Sequence, residues 1–499
     1  MKILSYTFAL LILFSISLWS ETGDPISYEP LDSWMYESYE IAAHGILPDF
    51  VNLRPYLRDR FLSGCRNTSS NPVVRWELNR LQFEKKYRHY NSLVDSTTRM
   101  LLRVKLSPYS YNTFEENAEP LYRIGFRAES VVSINNNAFI QFRGRVENKG
   151  ELDSYAKVHR WKEKLTLYVD YALLGYKYKS FLFTFGRTFR SWGPRDSDRL
   201  LISDNSPAFN QLSLEFQSDK FMFQFWTARL DSWFEPDSTR FNRYISAHRA
   251  AYKPHPRLEL GVSETVLYAR REAGMELYYL NPILPYYLEQ WNNRIDDNIY
   301  WQMDFMWYAR DGIKLWGEFL IDDFQIDFVS EPHQIGFNFG ISELGLFLSR
   351  YLQIEIDYTQ IRNTVYGQNK PYNSFSNEGV VIGSSLGTDS DRLRYVFTAH
   401  LAPCLRIKAG GSITRKGEGR FYDTDNYPAP KGEKFPSGIV ETRFNHYVRA
   451  EILYNNRIES YITCGYEHFE NVDNSSYDEY SPYISVNLNY HLNFISKLH

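Results

Sequence analysis

From about Thr98 onward, apolar residues alternate with polar ones at a period of two, and this pattern limits the fold more than any other feature. Leu165, Leu167, Val169 and Tyr171 alternate with Thr166, Tyr168 and Asp170. Leu352, Ile354, Ile356 and Tyr358 alternate with Gln353, Glu355 and Asp357. The cleanest run comes last: Ile484, Val486, Leu488, Tyr490, Leu492 and Phe494 against Ser485, Asn487, Asn489, His491 and Asn493. Successive strand side chains point to opposite faces, so each segment is a strand with one apolar and one polar side. About 18 such segments lie between 98 and 494, with 164–173 and 175–187 as the fourth and fifth. Connections after odd-numbered segments run roughly 10 to 30 residues, and most after even-numbered ones about one to three, the rule for outer-membrane barrels with an even strand count.

Composition agrees with a barrel wall. Aromatic residues make up 17% of the chain, with 39 Tyr and 34 Phe, yet the mean hydropathy is −0.45. A membrane barrel needs that mixture, because one face of each strand meets lipid, the other a polar lumen, and aromatic girdles mark the interfaces. A secreted β-sandwich shares part of it, but roughly 400 residues of strand without repeated domain punctuation exceed one sandwich. No run of about 18 apolar residues follows the N-terminus, so no helix is expected to span a bilayer. The net charge of −4 gives no basic excess for nucleic acid. Cys65, Cys404 and Cys464 are too few and scattered for a disulfide framework or a metal site, although Cys65 and Cys404 would lie on the same side of the barrel.

Before the strands come other signals. Lys2 and the apolar run Ile3 to Leu18 read as a secretory signal peptide over 1–20. Residues 21–97 read as helical. Asp32 or Ser33 can cap a first helix with Met35, Tyr39, Ala42 and Ile46 on one face, and a second starts at Pro55. A third opens with Asn71 as cap and Pro72 at its first position, then runs through Val74, Leu78 and Leu81. So small a piece buries little core alone and is expected to dock on the barrel. The barrel then occupies 98–494, closing on the aromatic Phe494, with 495–499 as a short tail.

Three segments resemble the capsule-assembly outer-membrane protein family typified by Wzi. They are Gly45-Ile46-Leu47 through Asn52-Leu53-Arg54-Pro55; Phe185-Gly186-Arg187 with Trp192-Gly193-Pro194 and Leu201 to Asn205; and Leu280-Asn281-Pro282, Asp297-Asn298, Asp304 and Gly317 to Phe324. In the second, Arg195 stands where a glycine is expected. The resemblance implies an all-β transmembrane barrel of about 18 antiparallel strands with a small N-terminal helical bundle on the periplasmic side. It also implies a lectin-like role in binding and anchoring or assembling capsular or related surface polysaccharide, without catalysis or cofactor.

Carbohydrate binding calls for flat aromatic faces and planar polar groups. The connection 269–298 supplies Tyr278, Tyr279, Tyr286, Tyr287 and Trp291; the connection 188–209 supplies Arg190, Trp192, Arg195, Asp204 and Asn205, with Arg187 at its edge. The competing reading makes these aromatics interface girdle, or packing against the lumen wall. Asp304 and Glu318 fall on neighbouring strands and face each other if Arg310-Asp311-Gly312 forms a three-residue hairpin. A close carboxylate pair suits acid–base work; with Asp322 it equally suits a lumen charge network completed by arginines. No H-E-x-x-H or phosphate-cradling loop is present, and His248, His400, His446 and His468 are loose candidates for a hydrolase. A polysaccharide-binding surface protein and a pore for small solutes therefore both stay open, the second because 18 strands can enclose a channel. The expected partners are surface polysaccharide and outer-membrane lipid, and the expected state is a monomer.

Overall fold

The structure, a computed structural model, describes residues 40–44, 50, 53–54, 70–87 and 100–498 apart from short interruptions, the longest at 324–332 and 423–433. The expected signal peptide, the second helix and Cys65 lie outside the described residues.

The strands close into one antiparallel barrel of 18. In chain order they are β1 Met100–Glu115, β2 Leu121–Ile134, β3 Ala138–Glu147, β4 Leu165–Tyr178, β5 Phe181–Thr188, β6 Phe209–Gln217, β7 Phe221–Arg229, β8 Arg240–His255 and β9 Leu258–Arg271. They continue as β10 Asn298–Arg310, β11 Ile313–Asp323, β12 Gln334–Leu344, β13 Leu352–Ile361, β14 Ser390–Ala402, β15 Leu405–Lys416, β16 Glu441–Tyr454 and β17 Ile458–Glu470. The last, β18, runs as Glu479–Tyr490 and Leu492–Leu498, broken at His491. Each strand pairs with its sequence neighbour, and β18 closes on β1, with Met100 opposite Leu498. Both ends of the barrel chain thus sit at one rim, which also carries the tight turns at 179–180, 256–257, 311–312 and 403–404. The opposite rim carries the long connections 189–208, 272–297, 362–389 and 417–440.

Two sequence boundaries move. Residues 495–498, read as a tail, continue β18 and pair with Met100 to Arg103, so Phe494 is not the last strand residue. The expected break between 173 and 175 falls instead at Lys179-Ser180, where Lys179 has φ 54°. The cause is a bulge: Arg143 pairs with Tyr171 but Gly144 with Val169, leaving Asp170 extra. Such an insertion reverses the facing of everything beyond it. Asp170 and Tyr171 consequently both point inward, Asp170 toward Arg143 at 3.2 Å and Tyr171 beneath the Arg143 guanidinium.

Alternation then sorts the wall. Outward positions such as Ile124, Phe185, Val262 and Met303 are apolar and more than half exposed, as lipid requires. Inward positions are polar and buried: Arg103, Gln141, Arg145, Gln224, Arg249, Asp304, Glu318 and Asn338.

The lumen is entered from both ends. At the short-turn rim, α1 (Pro72–Tyr87) and a helical turn at 40–43 pack Ile41, Ala42, Val74 and Leu78 against Met306, Tyr308 and Leu344. Asn71 caps α1 as expected, its Oδ1 accepting from the backbone N–H of Val73 at 2.8 Å. The helix also touches the turns themselves: Trp76 stacks on Tyr351, and Arg80 donates to the carbonyl of Pro403. From the other rim the connections 189–208 and 362–389 descend into the barrel. The two fillings meet where Leu53–Arg54 pairs antiparallel with Ser191–Trp192.

Candidate functional site

On the lumen wall the hairpin between β10 and β11 behaves as its turn chemistry demands. Gly312 adopts φ +83°, and a Cβ there would lie 2.6 Å from the carbonyl oxygen of Leu344, so glycine is required on both counts. The resulting register sets Asp304 opposite Glu318. Arg249 from β8 donates to both oxygens of Asp304, the Nη2 contact at 2.8 Å, with both side chains fully buried. That bidentate clasp is a charge network filling the wall. Asp322 serves the neighbouring connection, accepting from the backbone N–H of Tyr366 at 2.8 Å.

Connection 189–208 lies inside the barrel. Trp192 has no exposed surface; its Nε1 donates to Gln224 at 2.7 Å and its ring meets Trp226 edge-on. Leu200, Leu201 and Ile202 join it in a core with Ile245, Leu267 and Leu320 of the inner wall. Gly193 holds φ +134°, and a Cβ on it would stand 2.1 Å from Glu318 Oε1, which fixes how closely the loop approaches the wall. Arg190 is buried and donates to Gln211 at 2.8 Å and Ser213 at 2.7 Å. The expectation that Trp192 and Arg190 present sugar-binding faces is corrected here: both are spent on the interior. Arg187 lies on the outer side of β5, its guanidinium over Tyr168 and donating to the carbonyl of Val169. Asp204 and Asn205 reach the mouth; Asp204 accepts from the N–H of Asp198, and Asn205 donates to the carbonyl of Val381. Arg195 lies outside the described residues.

Interlocking bonds join the connections at the mouth. The Tyr366 hydroxyl donates to the carbonyl of Leu200 at 2.5 Å and accepts from the N–H of Ser384 at 3.2 Å, tying connection 362–389 to 189–208. Burial pushes that phenol well above the usual tyrosine range, so it stays a donor. Arg243 of β8, buried, donates to the carbonyls of Tyr372, Ser374 and Ser376 and to Asp231. Asp389 accepts from the N–H and hydroxyl of Ser437 and the N–H of Gly419, joining 417–440 to connection 362–389. Sequence reasoning missed these three anchors, because nothing local marks a residue whose partners are distant backbone groups. The upper surface carries Asp204, Lys370 paired with Asp296 at 2.8 Å, and Tyr372 stacked on Phe241 at 4.3 Å.

Connection 272–297 goes the other way. Tyr244, Val266, Tyr268 and Ile299 point outward, and they are buried under Tyr279 and Tyr286. Within this connection α2 (Tyr286–Asn293) starts on a carboxylate: Glu264 of β9 accepts from the N–H groups of Tyr286 and Tyr287 and from Trp301 Nε1, and pairs with His248 at 3.0 Å. The Tyr279 hydroxyl donates to Asp297, itself clasped by Arg270; burial and then that carboxylate hold the phenol above its ordinary range. Tyr279 is therefore a buried strut, whereas Tyr287 and Trp291 are exposed on the outside of the barrel. The two aromatic connections lie on opposite sides of the wall and form no common site.

Among solved structures, the chain resembles Wzi of Escherichia coli, an outer-membrane protein of group 1 capsule assembly described as a carbohydrate-binding β-barrel. The TM-score is 0.63 at 13% identity, covering 93% of this chain and 99% of that one. OccD3 of Pseudomonas aeruginosa has a TM-score of 0.47 at 10% identity, covering 81% and 92%; OccAB4 of Acinetobacter baumannii has 0.46 at 11%, covering 80% and 99%. No curated protein matches the sequence. The family model described as capsule assembly protein Wzi matches residues 107–480, so this outer-membrane β-barrel belongs to the Wzi capsule-assembly family.

Proposed function

We propose that this protein holds capsular or related surface polysaccharide at the cell surface without breaking a bond in it, acting as a lectin-like barrel. The observation that carries the reading is the interlocked mouth: the long connections are tied to one another and to the wall by Tyr366, Arg243 and Asp389. A mouth of polar and aromatic side chains suits a polymer lying across it, and carbohydrate binding is what the Escherichia coli neighbour is described as doing. The polymer contacts in this reading are Asp204, Asn205, Lys370 and Tyr372, with Arg187 at the rim. Residues 21–97 would form a helical plug at the periplasmic end, to which α1 and the turn at 40–43 belong. The pore reading loses support, because apolar clusters occupy the lumen toward both rims.

Loss of the protein should release polymer into the medium while total polymer stays unchanged. A fall in the total would instead assign it to synthesis or export. Purified protein in planar bilayers should pass little current, and Tyr372→Ala with Lys370→Ala should weaken binding on a glycan array. Steady conductance typical of an open channel would restore the pore.

A further inference from the structure

The outer wall of β8 to β10 carries an anomaly. Leu260, Val262, Met303 and Trp307 are exposed apolar positions of the lipid-facing band. Two residues further toward the long-loop rim, the same outward face carries the ionisable His248 and Glu264, 3.0 Å apart. With strands rising about 3.4 Å per residue and tilted about 40°, an apolar band about 25 Å tall spans roughly ten residues. Counted from Leu258 beside the tight turn, that band reaches Tyr268, so the pair falls inside it. Charges facing hydrocarbon are costly unless covered.

The cover is α2. Tyr286 stacks on His248 at 4.5 Å, Tyr287 packs on Trp301 at 4.8 Å, and the helix N-terminus sits on Glu264. The surface replacing the covered wall is apolar again: Leu277 is 81% exposed, Ile283 79%, Leu288 58% and Trp291 74%. Leu288 and Trp291, three residues apart, share one helix face. Two residues below the covered Glu264 and Trp301 on the same outward wall lie Val262 and Met303.

We propose that connection 272–297 is a membrane element: α2 lies flat on the barrel's outer wall in the outer leaflet, and Leu277, Ile283, Leu288 and Trp291 contact lipid acyl chains. It is an interfacial helix supplied by a barrel loop, and its aromatics belong to the lipid boundary and not to a sugar site.

Nitroxide accessibility tests this on the full chain in phosphatidylethanolamine–phosphatidylglycerol vesicles, with Cys65→Ser, Cys404→Ser and Cys464→Ser as background. Labels are placed singly through Leu288→Cys and Trp291→Cys, with Val262→Cys as lipid reference and Asp237→Cys, on the exposed connection 230–239, as aqueous reference. Labels at 288 and 291 should favour oxygen over a water-soluble nickel chelate as the label at 262 does. Accessibility matching that at 237 overturns the proposal. So does dipolar broadening at 288 that vanishes on dilution with unlabelled protein, which would assign the face to a second copy. Protection from nickel by added polysaccharide would assign it to the polymer and overturns it too. The strand signature in circular dichroism confirms that each variant is folded, and the two helix positions report independently.

Discussion

Connections 189–208 and 272–297 have similar chemistry, each with aromatics, aspartates and at least one arginine, and they end on opposite sides of one wall. The first turns inward because the wall beneath it offers Trp226, Ile245, Leu267 and Leu320 on the lumen side, and because its Leu200-Leu201-Ile202 run needs a core. The second turns outward because Tyr244, Val266, Tyr268 and the His248–Glu264 pair face out and need cover. Aromatic content does not reveal where a loop goes; the parity of the strand residues under it does.

The largest effects should come from the inner side. Trp192→Ala removes a fully buried ring and strips Gln224 of its donor, and should cost about 3–5 kcal/mol, read from urea unfolding of the barrel in vesicles. Asp304→Ala leaves the Arg249 charge buried without its clasp and should cost about 3–5 kcal/mol as well. Replacing Arg249 and Asp304 together with leucine should recover much of that loss. If the double variant is as unstable as the single one, the pair is not the wall-filling network described here.

The short-turn end should respond to pH. Burial, and then the nearby Lys314 ammonium, lower the His44 pKa to about 3. Its ring contacts Tyr308 and Ser342, beside the Lys314–Glu40 pair. A folded-state pKa below the ordinary histidine value means the stability this group contributes is present above about pH 6.5 and is lost as pH falls toward 3. The loss should run at about 1.4 kcal/mol per pH unit. In His44→Phe the unfolding midpoint should lose that part of its acid slope; an unchanged slope would show that His44 does not titrate against docking.

The barrel was largely legible in the sequence, because a two-residue period survives wherever one face meets lipid and the other a polar lumen. All 18 expected segments overlap strands, the Asn71 cap sits where its side chain suggested, and the Gly312 hairpin gave the Asp304–Glu318 register. Where the period broke, reading failed: the bulge at Asp170 shifted the fourth boundary, and the adjacent apolar Phe494-Ile495 hid the continuation to Leu498. The candidate site was legible only as a set of residue types. Trp192 and Trp291 look alike in sequence, and only the wall residues that meet them separate a core ring from a surface one.

An intermediate effect belongs to the outer-wall pair. Glu264→Ala would leave the N–H groups of Tyr286 and Tyr287 and the Trp301 indole without their acceptor, a loss of about 1–3 kcal/mol. It should act locally: hydrogen exchange should quicken over 286–293 while the lumen core around Trp192 stays protected. Exchange that quickens equally in both regions would mean the two sides of the wall are not independent.

The smallest effect sharpens the comparison most. Trp291 is 74% exposed to its surroundings, and its truncation removes no core contact, so Trp291→Ala should cost only the ring's transfer from water to lipid, about 1–2 kcal/mol. The contrast with Trp192→Ala isolates location from chemistry, since the same ring is removed from the same kind of connection. Because Trp291 stands on the lipid boundary in this account, its loss should leave polymer retention on cells at the wild-type level, while Tyr372→Ala, on the mouth, lowers it. Polymer shed by cells carrying Trp291→Ala would return the outer helix to the binding surface and remove the division between a sugar-facing mouth and a lipid-facing flank.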